Sequence, residues 1–269
     1  MLRALLLALS LFSFATLAAP AKEYWNLWVA DNPLSQQTIQ YPVWKSFLKS
    51  YWHEQQGQSL LDYAGVTAKD KQALNQAINR LSELQISSYN RDQQLAYWIN
   101  LYNMLTVKVI LQHYPVKSIL DISPGVFSSG PWDEKLIKVE GQSLTLNDIE
   151  HRILRPIWND PRIHAAVNCA SIGCPDLRRA PFTGSHIDSE LNQAFRHFVN
   201  SPKGVALSGS KVELSSIFKW YGKDFGSPAQ MLGYISDYLE NPALKKALKN
   251  PKVKLDYQKY NWQLNQLDS

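Results

Sequence analysis

Apolar residues recur at helical spacing along much of this chain. Leu74, Ala77, Ile78, Leu81 and Leu84 predict an amphipathic helix, and Thr67-Ala68-Lys69-Asp70 reads as the capping box that starts it. Trp44, Phe47, Leu48 and Tyr51 predict another helix before it. The segment 93–112 differs, because Leu95, Trp98, Ile99, Leu101, Tyr102, Met104, Leu105, Val107, Val109, Ile110 and Leu111 leave almost no polar face. A helix that is apolar nearly all round is buried. It nevertheless carries Asn100 and Asn103, about 60° apart on one stripe. A buried amide left unpaired costs on the order of 1–3 kcal/mol. Both must therefore bond something specific: they hold a neighbouring loop, or they orient a catalytic group or a ligand.

Further along, 135–140 reads as a strand and Gly141-Gln142 as a turn. Thr145-Leu146-Asn147-Asp148 is a second capping-box candidate, opening a helix over 146–154. Leu146, Ile149 and Ile153 form its core face. Glu150 falls about 40° from Leu146, with His151 about 100° further round. Acids beside an apolar stripe usually have a partner. After Pro161, 162–169 reads as a strand leading into a Cys-containing turn. Helices are expected over 188–199, 215–221 and 233–239, and strands over 211–214 and 252–257. Helices dominate and strands are short and scattered. This predicts an α+β fold: one mainly helical domain with a small sheet.

The N-terminus changes the picture of compartment. Met1-Leu2-Arg3 is a short basic start, 4–17 is apolar, and Thr16-Leu17-Ala18 offers small residues for cleavage. This predicts a signal peptide over 1–18 and export to a bacterial periplasm. The apolar run is short for the roughly 20 residues a span needs, and no later segment is long enough. Residues 19–269 are then expected to form one domain. The formal charge of +5 falls to +4 when Arg3 leaves. No basic cluster is present, which argues against nucleic acid. Most of the nine tryptophans are expected in the core.

Candidate chemistry centres on the only two cysteines, Cys169 and Cys174. In an exported protein a disulfide is the default for such a pair. The turn Ala170-Ser171-Ile172-Gly173 can bring the two alpha carbons to the 4.4–6.8 Å that a bridge needs. So short a loop would stabilise weakly. A thiolate nucleophile and a redox pair stay open beside the structural bridge. His164 precedes Cys169 by five residues, but on a strand the two side chains point to opposite faces. Their alpha carbons would lie roughly 16 Å apart. A base from elsewhere is needed within about 3 Å, and His151 is the candidate. His164 then faces the other side, where Asn100 and Asn103 can meet it. No zinc spacing, phosphate loop, Gly-x-Ser-x-Gly elbow or His-Glu-x-x-His is present, so no metal or cofactor is expected.

Several separated blocks resemble the DUF547 family. They are Ala96-Tyr97-Trp98-Ile99-Asn100-Leu101-Tyr102-Asn103, Ser143-Leu144 with Asp148-Ile149-Glu150-His151-Arg152-Ile153-Leu154-Arg155, and Arg162-Ile163-His164 through Cys169-Ala170-Ser171 to Cys174-Pro175. Ser215-Ser216-Ile217-Phe218-Lys219-Trp220-Tyr221 with Asp224-Phe225, and Tyr260-Asn261-Trp262-Gln263-Leu264-Asn265, look like later blocks. The resemblance runs over about 44–265. It implies an identity rather than a reaction. Some relatives sit beside glutaredoxin-like modules in intracellular proteins, which implies thiol chemistry where a structural disulfide would not persist.

The expected function is a thiol-dependent hydrolase or transferase acting on an envelope peptide or acyl substrate. Cys169 is its nucleophile, His151 the base and Glu150 its orienter. Asn100, Asn103, His164 and Ser171 bind substrate or orient the loop. The alternatives are a non-enzymatic periplasmic binding or scaffold protein with a Cys169–Cys174 disulfide, and a thiol–disulfide redox protein. The expected ligand is a small molecule or peptide of the envelope.

Overall fold

The computed structural model describes residues 20–123, 125, 130–209, 211–250 and 252–267. The predicted signal peptide lies outside the described residues. The chain folds as the mainly helical α+β domain that the pattern predicts. Among the described residues, no helix is long and apolar enough to cross a membrane.

Helix α1 (Pro42–Tyr51) leads into a hairpin of β1 (Trp52–Gln55) and β2 (Gln58–Leu61) that the periodicity did not reveal. Gln56 and Gly57 both take positive φ, +52° and +74°, which matches a two-residue hairpin turn to the strand twist. Helix α2 (Ala68–Ser82) begins where expected, with the Thr67 side chain accepting from the Asp70 N–H. Helix α3 (Arg91–His113) is the centre of the molecule and is buried on all sides through most of its length. Asn90 caps it by accepting from the Gln93 N–H. Hairpin β3–β4 (Ile137–Val139, Gln142–Leu144) precedes the Thr145 turn. There the capping box is reciprocal: Asp148 N–H donates to Thr145 Oγ1 at 2.9 Å and Thr145 N–H to Asp148 Oδ2 at 3.0 Å.

The helix that follows is not α-helical as expected. Asp148–Leu154 forms a π-helical segment, with Arg155 N–H donating five residues back to Glu150 O, before α4 (Arg155–Trp158). Pro156 has no N–H to return to the carbonyls of His151 and Arg152. The N-terminal strap supplies donors instead, Glu23 N–H to His151 O at 3.1 Å and Trp25 N–H to Arg152 O at 3.3 Å. The Arg152 guanidinium covers the Trp25 ring at 4.1 Å. The wider turn re-aims Glu150 and His151 away from the directions an α-helical wheel gives.

The strand expected over 162–169 does not form. Asp160 accepts from the Arg162 N–H, and Pro161–Ala165 winds into a 3-10 turn. Backbone at 166 and 168 then pairs with the Asn103 side chain instead of a neighbouring strand. Helix α5 (Ile187–Asn200) packs against this turn. The remaining sheet joins β5 (Val205–Ser208), β6 (Lys211–Leu214) and β7 (Lys254–Tyr257), antiparallel and then parallel. Between β6 and β7 lie α6 (Ser216–Trp220), α7 (Pro228–Tyr238) and α8 (Pro242–Leu248). Trp28, Trp44 and Trp98 are core; the other six tryptophans are only partly buried.

Candidate functional site

The cysteine loop is held from three directions. Asn103 of α3 donates to Ala166 O at 2.9 Å and accepts from Asn168 N–H at 2.8 Å. Asn168 in turn accepts from Ala170 N–H and donates to Pro175 O. The C-terminal tail closes the third side, taking Ile172 N–H at Gln263 O and Gly173 N–H at Asn261 O, each 2.8 Å. A side chain at Gly173 would meet the Asn261 backbone at 2.9 Å, so the close approach needs glycine. Ala170, next to Cys169, sits at φ +58°, a costly left-handed conformation for a residue with a side chain.

This clasp gathers hydrogen-bond donors on one sulfur. Cys169 Sγ lies 3.1 Å from Ser171 Oγ, 3.1 Å from the Tyr260 hydroxyl and 2.9 Å from Cys174 Sγ. The Cys169 N–H donates to Cys174 Sγ at 2.9 Å. Burial raises the Cys169 pKa, but bonds from Cys174, Ser171 and Tyr260 outweigh it and lower it to about 7. Burial pushes the Cys174 thiol well up, and the neighbouring sulfur adds to the rise. The pair is therefore divided into one ready thiolate and one reluctant thiol. Both cysteines are free, Cys169 partly exposed and Cys174 buried.

A second cluster shares the same cavity of about 230 Å³, which is lined by Cys169, Cys174, Glu150, His151, His164 and Tyr221, among others. Asp224 is its electrostatic centre. It accepts from Arg155 Nε at 2.7 Å and Nη2 at 3.2 Å, and meets His164 Nε2 at 2.8 Å. Burial opposes its ionisation, but bonds from His164 and Arg155 hold its carboxyl well below the usual range. The His164 ring stacks on Tyr221 with centroids 4.1 Å apart. Arg155 Nη1 donates to Pro20 O at 2.7 Å and to His151 Nδ1 at 3.0 Å. Burial, chiefly, lowers the His151 pKa and keeps it neutral. An arginine at Nδ1 makes that nitrogen the acceptor, so the ring proton belongs on Nε2.

This wiring differs from the expected catalytic set. His151 lines the cavity, but no hydrogen bond joins it to either sulfur, and its free nitrogen already carries the proton. Glu150 Oε1 stands 3.9 Å from His151 Nδ1, too far to orient it. His164 meets Asp224 and Glu150 rather than the asparagines. Asn100 bonds the Phe182 backbone in both directions, at 2.8 and 3.0 Å. Neither it nor Asn103 lines the cavity; each holds a loop. Ser171 stands beside the sulfur, its Oγ 3.1 Å from Cys169 Sγ. Tyr260, Asp224 and Arg155 complete this wiring and were not among the expected site residues. All three sit in the family-like blocks, which was the one available signal.

Among the described residues no group of three or more His, Cys, Asp or Glu is arranged to hold a metal ion. Residues 86–199 match the model of a family described as "Protein of unknown function, DUF547". Over this stretch the chain is similar to the DUF547 family. No curated protein and no solved structure matches the chain. The DUF547 match contains α3, the π-helical segment and the cysteine loop. Asp224 and Tyr260 lie beyond its end, so the site is completed by chain outside the matched residues.

Replacing Asn103 by alanine orphans two buried backbone groups, Asn168 N–H and Ala166 C=O. The expected loss is about 2–3 kcal/mol in urea unfolding, with slower alkylation of Cys169 as its loop loosens. An unchanged midpoint would contradict this account of the loop.

Proposed function

We propose that this protein is a thiol enzyme in which Cys169 is the reacting group and Cys174 the resolving one. The reaction is thiol–disulfide exchange. The observation that carries this reading is the 2.9 Å approach of two free sulfurs of opposite character, one partly exposed and low in pKa, the other buried and high. Such a thiolate needs no imidazole to be ionised near neutral pH.

The Cys169 thiolate attacks one sulfur of a substrate disulfide. A Cys169–substrate disulfide forms and the first substrate thiolate leaves. Cys174 then gives up its proton to that leaving thiolate and attacks Cys169 Sγ. The internal disulfide forms and the second substrate thiolate leaves. The substrate gains two electrons and the cysteine pair loses two. Run in reverse, the oxidised pair oxidises a substrate dithiol. The basic and apolar N-terminus supports a periplasmic setting, where disulfide chemistry is sustained.

The test is to substitute Cys174→Ala and add 2-hydroxyethyl disulfide. The wild type is expected to lose two hydrogens by mass and end as the internal disulfide. The variant is expected to stop at the mixed disulfide on Cys169. A wild type that also stops there overturns the exchange reading. A second reading, covalent acyl transfer through Cys169, draws on Glu150, His151 and His164 in the same cavity. It is favoured if the wild type forms no internal bridge while a thioester acylates Cys169.

A further inference from the structure

Thiol–disulfide exchange leaves the Glu150 carboxylate without a task. Its side chain is only 8% exposed, yet it lines the cavity that Cys169 opens into. Its neighbours do not neutralise it at close range. His151 Nδ1 is 3.9 Å away and His164 Nδ1 3.8 Å, both beyond hydrogen-bond reach. His151 Nδ1 takes an N–H from Arg155, and His164 directs Nε2 at Asp224. Arg155 is committed to Asp224, Pro20 and His151. Lys22 lies on Asp224 at 3.3 Å. The Tyr221 hydroxyl is a neutral donor facing Glu150. A buried carboxylate without a close cation is costly, and it stabilises any cation that reaches it.

The walls of the same cavity suit such a cation. Trp132, Trp220, Tyr221, Tyr260 and Trp262 line it. The rings of Trp220, Tyr260 and Trp262 pack on one another, with centroids 4.5–6.0 Å apart. Aromatic faces attract ammonium groups, most strongly where water is excluded. Tyr260 belongs to this wall and also touches the Cys169 sulfur, so the wall and the reacting atom are contiguous.

We propose that the cavity selects amine-bearing thiols and disulfides, with Glu150 binding the ammonium group while Cys169 reacts. This inference rests on Cys169 being the reacting group. Its probes are cystamine, 2-hydroxyethyl disulfide and dithiodiglycolate, which are cationic, neutral and anionic. Each rate with Cys169 is divided by the rate with a short unstructured cysteine peptide, which removes intrinsic reactivity. The normalised cystamine rate is expected to exceed the neutral one by about tenfold. Glu150→Gln is expected to bring that ratio close to one. Should Glu150→Gln not fold, the wild type decides alone: benzylamine protects Cys169 from iodoacetamide and benzyl alcohol does not. A wild-type ratio near one, a ratio kept in folded Glu150→Gln, or equal protection by the two benzyl compounds overturns the ammonium site. The thiol reading fails separately, if Cys169 reacts with none of the disulfides and not with iodoacetamide.

Discussion

Arg155→Met is expected to lower stability by about 3–5 kcal/mol, because it strands a buried carboxylate. Arg155 and Asp224 are 6% and 7% exposed, and the guanidinium meets the carboxylate with two nitrogens. His164 and Lys22 stay behind but do not replace that paired geometry. The check is a urea midpoint on the wild type and the variant. Arg155→Met combined with Asp224→Asn is expected to recover part of the loss, since no buried charge then lacks its partner. A loss below about 1 kcal/mol would mean the pair acts like an exposed one. The pH dependence follows with a definite sign. Asp224 is held below its unfolded value, so its contribution is present above about pH 4 and is lost as pH falls further. The variant, with a smaller depression, is expected to show a shallower acid limb.

The second large effect is on Cys169 itself. Its alkylation by iodoacetamide is expected to rise with pH and reach half its maximum near pH 7, where the thiolate is half formed. Tyr260→Phe removes a donor that favours the charged sulfur, so the midpoint moves up towards that of an ordinary thiol, about 8.5. A shift of about one unit slows labelling about tenfold at pH 6. Ser171→Ala is expected to shift the midpoint the same way, and the double variant further than either. Peptide mapping assigns the label to Cys169 rather than Cys174. A midpoint that stays near 7 in the double variant would show that other groups hold the thiolate.

The legible parts of the fold are those with local causes. Thr67 and Thr145 cap the turns that the sequence places after them, because a cap is settled within four residues. The all-apolar stretch of α3 is buried, and its two asparagines bond backbone at long range as buried amides must. The π-helical segment was not legible. It depends on Pro156 withholding a donor and on the strap, more than 120 residues earlier in the chain, supplying others. The predicted strand before Cys169 failed for a similar reason. Alternating apolar residues satisfy a buried irregular segment as well as a strand, and Asn103 supplied the pairing.

By itself the sequence determined which residue types were available for chemistry: one close pair of cysteines, an acid beside an apolar stripe and, among six histidines, two in the blocks near them. It also determined the DUF547 resemblance, since that rests on residue order alone. Only the tertiary structure decided how they are wired. Tyr260, 91 positions from Cys169, joins Cys174 and Ser171 in lowering that thiol's pKa, and Asp224, 60 positions from His164, takes up the imidazole. Hydrogen bonds act over about 3 Å whatever the separation along the chain. The partners of these groups were therefore set by how the C-terminal tail and the turn Gly222–Phe225 close over the cysteine loop and His164.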